Sequence, residues 1–145
     1  MSKQKYCDLI DSLCERFQIE DSKSMYEACN IQIEEIPFTL LHANYIDDDS
    51  MIAYCDFGEL PTEKRQPILE HLLTANLMMS SKMLGVACNP ENGHVMMLRR
   101  FLLSRTTTDE LLMDLGEMAF CASEWRDNYV QAITASEGST EKPLA

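Results

Sequence analysis

The sequence predicts an α+β domain in which a single antiparallel sheet carries three helices, in the order α-β-β-β-α-β-β-α, assembled as a homodimer. Three observations predict it. Apolar residues recur at helical spacing near both ends of the chain and in its middle. Between these stretches, short runs rich in branched and aromatic residues follow strand patterning and are separated by turn residues. The middle helix, finally, has more apolar surface than one small sheet can cover. The 145 residues, 46% of them apolar, suffice for one core and are too apolar for a disordered chain. We expect one domain over residues 1–134 and a small, polar, disordered tail over 135–145.

Tyr6, Leu9, Ile10, Leu13 and Phe17 share one face of a first helix over residues 5–18, with Asp8, Asp11, Ser12, Glu15 and Arg16 opposite. From Glu27 to Ile36, Cys29, Ile31 and Ile33 alternate with Asn30, Gln32 and Glu34, the period-two pattern of a half-buried strand that Pro37 ends or bends. Phe38 to Ile46 and Met51 to Phe57 are two further strands, joined by a turn at Asp47-Asp48-Asp49-Ser50. A second helix begins between residues 62 and 67, because Pro67 suits a first turn, where its missing N–H is not needed. Two more strands, Val86 to Cys88 and His94 to Leu103, flank Asn89-Pro90-Glu91-Asn92-Gly93, whose Asn-Gly is a strong hairpin signal. Thr107-Thr108-Asp109-Glu110 fits a capping box, so a third helix starts there and keeps one apolar face from Leu111 to Ile133.

The second helix carries the quaternary expectation. At about 100° per residue, Ile68, Leu72, Ala75, Met79 and Met83 form one lane, and Leu69, Leu73, Leu77 and Leu84 form another beside it. One lane can rest on the sheet. Leaving four leucines of the other in water forgoes roughly 1.5–3 kcal/mol each, so the same helix of a second copy is the economical cover, a two-fold axis matching a patch to itself. Asn76 and Ser80 lie between the lanes, where they let two helices approach or hydrogen-bond. The competing expectation is that the third helix covers the second lane within one chain.

Charge and motifs exclude several function classes. With 24 acidic and 12 basic residues the formal net charge is −12, so nucleic acid and anionic membranes are repelled. No apolar run has the length of a membrane span and Met1 to Asp8 lacks the apolar core of a signal peptide, from which we expect a cytoplasmic protein. The six cysteines never reach C-x-x-C spacing and read as buried, reduced thiols. His42, His71 and His94 have no metal-ligand spacing, the Asp47-Asp48-Asp49 run lacks the glycine and distal glutamate of a calcium loop, and no nucleotide-binding motif occurs; no cofactor or metal is expected. The ten methionines, with Met78-Met79, Met83 and Met96-Met97 prominent, suit either core filling or a surface that accepts varied apolar partners.

Phe57-Gly58-Glu59-Leu60-Pro61, leading into Leu69-x-x-Leu72-Leu73-x-x-Asn76, and the later Phe120-x-x-x-Glu124-Trp125-Arg126 together resemble the class I chaperones of bacterial type III secretion, the Tir-chaperone-like family. The resemblance runs from about residue 5 to 133. It implies a homodimer joined largely through the second helix (Leu69, Leu73, Asn76, Leu77, Ser80 and Leu84) and a non-enzymatic function. The chaperone would bind the amino-terminal segment of a secreted effector and keep it stable, soluble and secretion-competent without ATP. Carried over by position, the client groove would involve Leu9, Leu13 and Phe17 of the first helix, and Ile31, Ile33, Phe38, Leu40, Ile52 and Tyr54 of the first three strands. Arg99-Arg100, inside the fifth strand, departs from an apolar surface there. Two alternatives stand beside this: an adaptor of the same fold binding a folded partner, and an enzyme pairing a cysteine with His42 or His71.

Overall fold

The computed structural model describes residues 2–79 and 83–129. Its elements follow the expected order: α1 (Ser2–Arg16), β1 (Cys29–Ile33), β2 (Ile36–His42), β3 (Ser50–Glu59), α2 (Arg65–Met79), β4 (Leu84–Cys88), β5 (His94–Leu102) and α3 (Thr108–Glu124). All pairings are antiparallel and the sheet order is β1-β2-β3-β5-β4. α1 and α3 lie on one face of the sheet, and α2 packs chiefly along β4.

The strand register divides the side chains between two faces. Cys29, Ile31, Ile36, Phe38, Leu40, Met51, Ala53, Cys55, Phe57, Val86, Val95, Met97 and Phe101 turn inward and pack against Leu9, Ile10 and Leu13 of α1 and Leu111, Leu115 and Met118 of α3. Tyr6 completes this core, its ring stacked on His42 at 5.1 Å and its hydroxyl donating to the Leu40 carbonyl at 3.3 Å. Burial raises the Tyr6 hydroxyl well above the usual phenol range. Thr39, Leu41, Ile52, Tyr54, Met96, Leu98 and Arg100 belong to the outer face.

Local chemistry fixes the ends of several elements. The Thr107 hydroxyl accepts from the Glu110 amide at 3.2 Å while the Glu110 carboxylate accepts from the Thr107 amide at 3.2 Å, so the predicted capping box opens α3. Gly93 takes φ +73 in the β4–β5 hairpin, as its Asn-Gly sequence requires. Pro67 falls in the first turn of α2. The acidic turn before β3 is anchored: Asp47 accepts from the Asp49 amide at 2.9 Å and Asp49 accepts from the Ser104 amide at 2.8 Å.

Four boundaries differ from the sequence expectation. The β1–β2 connection is a two-residue turn at Glu34-Glu35, both at positive φ (52 and 70), not a break at Pro37. Left-handed backbone at two glutamates costs about 1 kcal/mol each, and nothing in that dipeptide signals a turn. Pro37 stands inside β2 opposite Gln32, next to the closing pair Ile33–Ile36. In such a hairpin the closing pair exchanges the hydrogen bonds, so the proline nitrogen points away from β1; pairing with β3 begins only at Phe38, and no ladder bond is lost. β2 stops at His42, and Ala43 to Ile46 form a turn in which the Ile46 amide donates to the Ala43 carbonyl at 2.9 Å. The second helix ends at Met79, so Met83 (φ 58) is a turn residue and Leu84 belongs to β4, not to a helical lane. The third helix ends at Glu124 and passes into a π-helical turn, Trp125–Tyr129; Ile133 and the predicted tail lie outside the described residues.

The two sequence blocks around Phe57 and Trp125 meet in space. β3 is bulged between Asp56 and Gly58, and Gly58 takes φ +105, a conformation that a side chain rarely tolerates. Arg126 fills the gap, donating from Nε to the Phe57 carbonyl at 2.7 Å and from Nη2 to the Asp56 carbonyl at 3.1 Å. The Phe57 and Trp125 rings pack 5.7 Å apart, tilted by 49°. These residues therefore lock the end of α3 to the sheet, a structural role that accounts for their joint spacing.

One consequence concerns acid. The hydroxyls of Tyr26 (2.6 Å) and, second, Ser22 (2.7 Å) donate to Asp11 and hold its carboxyl below the usual range, pinning the segment after α1. A depressed folded-state pKa adds stability that is complete above the unfolded value of about 4 and is lost as pH falls through the folded value. Urea titrations below that pH should therefore show a shallower fall for Asp11→Asn than for the parent protein; equal slopes would contradict the assignment.

Candidate functional site

Among the surfaces left once the core is formed are the outer face of the sheet, the edge of β1 and the outward face of α2. On the outer face, Thr39, Leu41, Tyr54, Ala87, Met96 and Leu98, with Cys88, Asn89 and Pro90 at one end, line an open trough of about 410 Å³. No described helix covers it, because α1 and α3 occupy the other face and α2 lies along β4. Tyr54 exchanges a hydroxyl contact with Tyr45, which together with Ile46 is exposed at the β2–β3 turn and extends the apolar area.

The two sheet edges are treated differently. At β4 the Asn76 side chain donates from Nδ2 to the Val86 carbonyl (2.9 Å) and accepts the Val86 amide at Oδ1 (2.6 Å), so α2 closes that edge with the two bonds a neighbouring strand would make. Gly85 permits the approach, since a Cβ there would sit 3.4 Å from the Asn76 oxygen and 3.3 Å from Leu98. At the other end, β1 has β2 on one side only. By the alternation of an antiparallel ladder, the backbone groups of Asn30 and Gln32 point outward there, available to a further strand.

α2 divides as its two lanes anticipate. Ile68 and Leu72 are buried, whereas Leu73 is 68% exposed, Leu77 76% and Met78 67%. α3 packs on α1, β1, β2 and β3 and does not supply the cover that a one-chain arrangement needs. Of the other residues assigned to this surface from sequence, Leu69 is half-buried against the core, Asn76 is engaged with Val86, Leu84 sits in β4 against the core, and Ser80 lies outside the described residues.

The nine positions expected in the client groove are separated by the register. Leu9, Leu13, Ile31, Phe38 and Leu40 are buried between the helices and the sheet; Phe17 and Ile33 are half-buried at the margin of that core. Ile52 and Tyr54 lie on the outer face, and Tyr54 lines the trough. The expected groove leaves out Leu41, Ala87 and Leu98, and the sequence brings Met96 forward only as one of the methionines suited to core filling or to an adaptable apolar surface. A signal is present: Leu40-Leu41 and Val95-Met96-Met97-Leu98 are apolar at both parities, as expected of strands with a contact on each face. The arginine pair does not fill the trough. Arg99 turns inward to Asp114 (3.3 Å) and lies over the Phe101 ring (5.2 Å), and Arg100 is held by the Ser50 hydroxyl (2.7 Å) and Asp47.

Little here suits covalent chemistry. Burial pushes the thiols of Cys29 and Cys55 up to about 12, the reverse of an activated nucleophile. His42 stacks on Tyr6 and contacts the Asp48 carbonyl at 2.8 Å, and His94 contacts Asp56 at 3.0 Å. Among the described residues no three acidic, histidine or cysteine groups come together to hold a metal, and no helix is long and apolar enough to cross a membrane.

A protein-family model, Tir chaperone protein (CesT) family, matches residues 8–126, most of the chain. The chain belongs to that family. No curated protein matches the sequence. Solved structures similar to this family member share its fold at low identity. A chain of the ExsC–ExsE complex aligns with TM-score 0.69 and 16% identity, covering 85% of this chain and 92% of that one. A chain of the HopA1–SchA chaperone–effector complex gives 0.66 and 15%, covering 88% and 97%. The Yersinia pestis type III secretion chaperone SycH in complex with a stable fragment of YscM2 gives 0.60 and 16%, covering 81% and 97%.

Proposed function

We propose that this protein is a type III secretion chaperone that binds the amino-terminal segment of a secreted effector and keeps it soluble and secretion-competent, as a cytoplasmic homodimer and without ATP. The observation that carries this is the apolar trough on the uncovered face of the sheet, in a member of the Tir chaperone family. The similar structures include complexes described as chaperone with effector, which fits the same reading. The trough offers pockets for apolar side chains of a short client helix, and the β1 edge offers main-chain hydrogen bonds to an extended stretch. Both modes hold a segment that has no fold of its own, and the entropy of ordering it limits affinity, so release needs no energy source.

Within the set assigned from sequence, Tyr54 and Ile52 contact the client on the sheet, with Phe17 and Ile33 at its margin, while Leu9, Leu13, Ile31, Phe38 and Leu40 build the platform beneath. Leu73 and Leu77 join the two copies. The net charge of −12 keeps such an apolar surface soluble. The test is co-expression with effectors encoded near the chaperone, followed by co-purification and limited proteolysis. Leu41→Asp with Leu98→Asp, which bury charge in the trough, should abolish recovery of the client while leaving the chaperone folded and dimeric. A client that stayed bound, or a bound partner resistant to protease throughout, would favour an adaptor that holds a folded protein.

A further inference from the structure

We propose that the outward face of α3 is a second docking surface, shaped for a basic amphipathic helix of a protein partner other than the client. Met113 (68% exposed) and Phe120 (63%) lie two turns apart on this helix and form an apolar lane in solvent. Beside it run Glu110, Glu117 and Glu124, recurring every seven residues and all exposed. The helix contains five acidic residues, Asp109, Glu110, Asp114, Glu117 and Glu124, and no lysine or arginine. Asp109 and Asp114 are engaged by Arg16 and Arg99, but both arginines come from the α1 and sheet sides. After burial, Glu117 and Glu124 are what raise the Cys121 thiol on this same face, which marks a negative local field.

The charge selects the occupant. A second copy of a chain with net charge −12, presenting the same acidic lane, repels itself here; α2, whose exposed Leu73, Leu77 and Met78 are accompanied by one acidic residue, Glu70, and by Arg65, does not. Residues 130–145 hold Glu137 and Glu141 against Lys142 alone, so the chain's own end does not complement the face either. What remains is a partner with an apolar stripe to seat on Met113 and Phe120 and lysines or arginines to meet Glu117 and its neighbours. The face lies across the sheet from the trough, so both can be filled at once.

The experiment uses the full-length protein and a labelled synthetic helix of leucine and phenylalanine on one side and lysine on the other, followed by fluorescence anisotropy at low and high salt. Binding should weaken with salt, and Phe120→Ser and Glu117→Lys should each reduce it about tenfold, with unchanged thermal melting and unchanged client recovery. A control, Glu91→Lys in the β4–β5 turn, should have little effect. The proposal is overturned if the control loses as much as the face variants, if the face variants lose nothing, if a peptide with glutamates for lysines binds equally well, or if Phe120→Ser lowers the oligomer mass. Because client recovery is read separately, failure here leaves the chaperone assignment standing, and the reverse holds too.

Discussion

Leu73→Asp combined with Leu77→Asp is expected to convert the proposed dimer to a folded monomer of 16.6 kDa. Both side chains are mostly in solvent within one chain, so within the monomer the substitutions disturb little and helix propensity changes only slightly. Across a two-fold contact each leucine appears twice, so four leucines leave a buried surface and four carboxylates would have to enter it. Even partial burial of four leucines amounts to at least about 4 kcal/mol, or roughly three orders of magnitude in the dimer dissociation constant. Light scattering across a dilution series measures this directly, and circular dichroism separates dissociation from unfolding. If the mass stays at twice the chain and dilution changes nothing, α2 is not the pairing surface.

Leu13→Ala is expected to act on stability far more than on recognition. Leu13 is wholly buried on the face of α1 that, with Leu9 and Ile10, joins the hydrophobic core. Truncation there leaves a cavity and costs about 2–5 kcal/mol, a large part of the net stability of a domain this size. Denaturant titration at fixed protein concentration should show the midpoint fall, whereas Leu41→Ser, on the outer face, should move it much less. Should Leu13→Ala melt like the parent protein and lose the client instead, α1 would present its apolar face outward and the division of faces described above would be mistaken.

These two experiments turn on distinctions that the sequence holds unequally. The lanes of α2 are visible in sequence because helical periodicity is local, and so Leu73 and Leu77 emerge as surplus apolar surface without any coordinates. The alternation Cys29, Ile31, Ile33 is equally visible, but a period of two has no sign: it groups residues on a face without saying whether that face meets helices or water. Periodicity therefore groups Phe38 and Leu40 correctly without telling that their face is the core and not a groove, and it does not single out Leu41 or Leu98. The Glu34-Glu35 turn was illegible for a different reason, since its left-handed backbone is imposed by the pairing of β1 with β2 and not by the residues themselves. Pro37, a stronger breaker signal than either glutamate, stands inside β2 where it harms no ladder bond.

By itself the sequence determined the helices and strands and their order, the capping box at Thr107, the hairpin at Asn92-Gly93 and the excess of apolar surface on α2. Each of these depends on residues a few positions apart, whose spacing and turn chemistry are written in the chain. Only the tertiary structure decided which sheet face is covered, that Asn76 closes the β4 edge through Val86, that Leu84 belongs to a strand, and that Arg126 reaches back to Phe57. Those outcomes depend on residues brought together from distant parts of the chain, and local periodicity carries no information about which of several equally apolar faces a helix will choose.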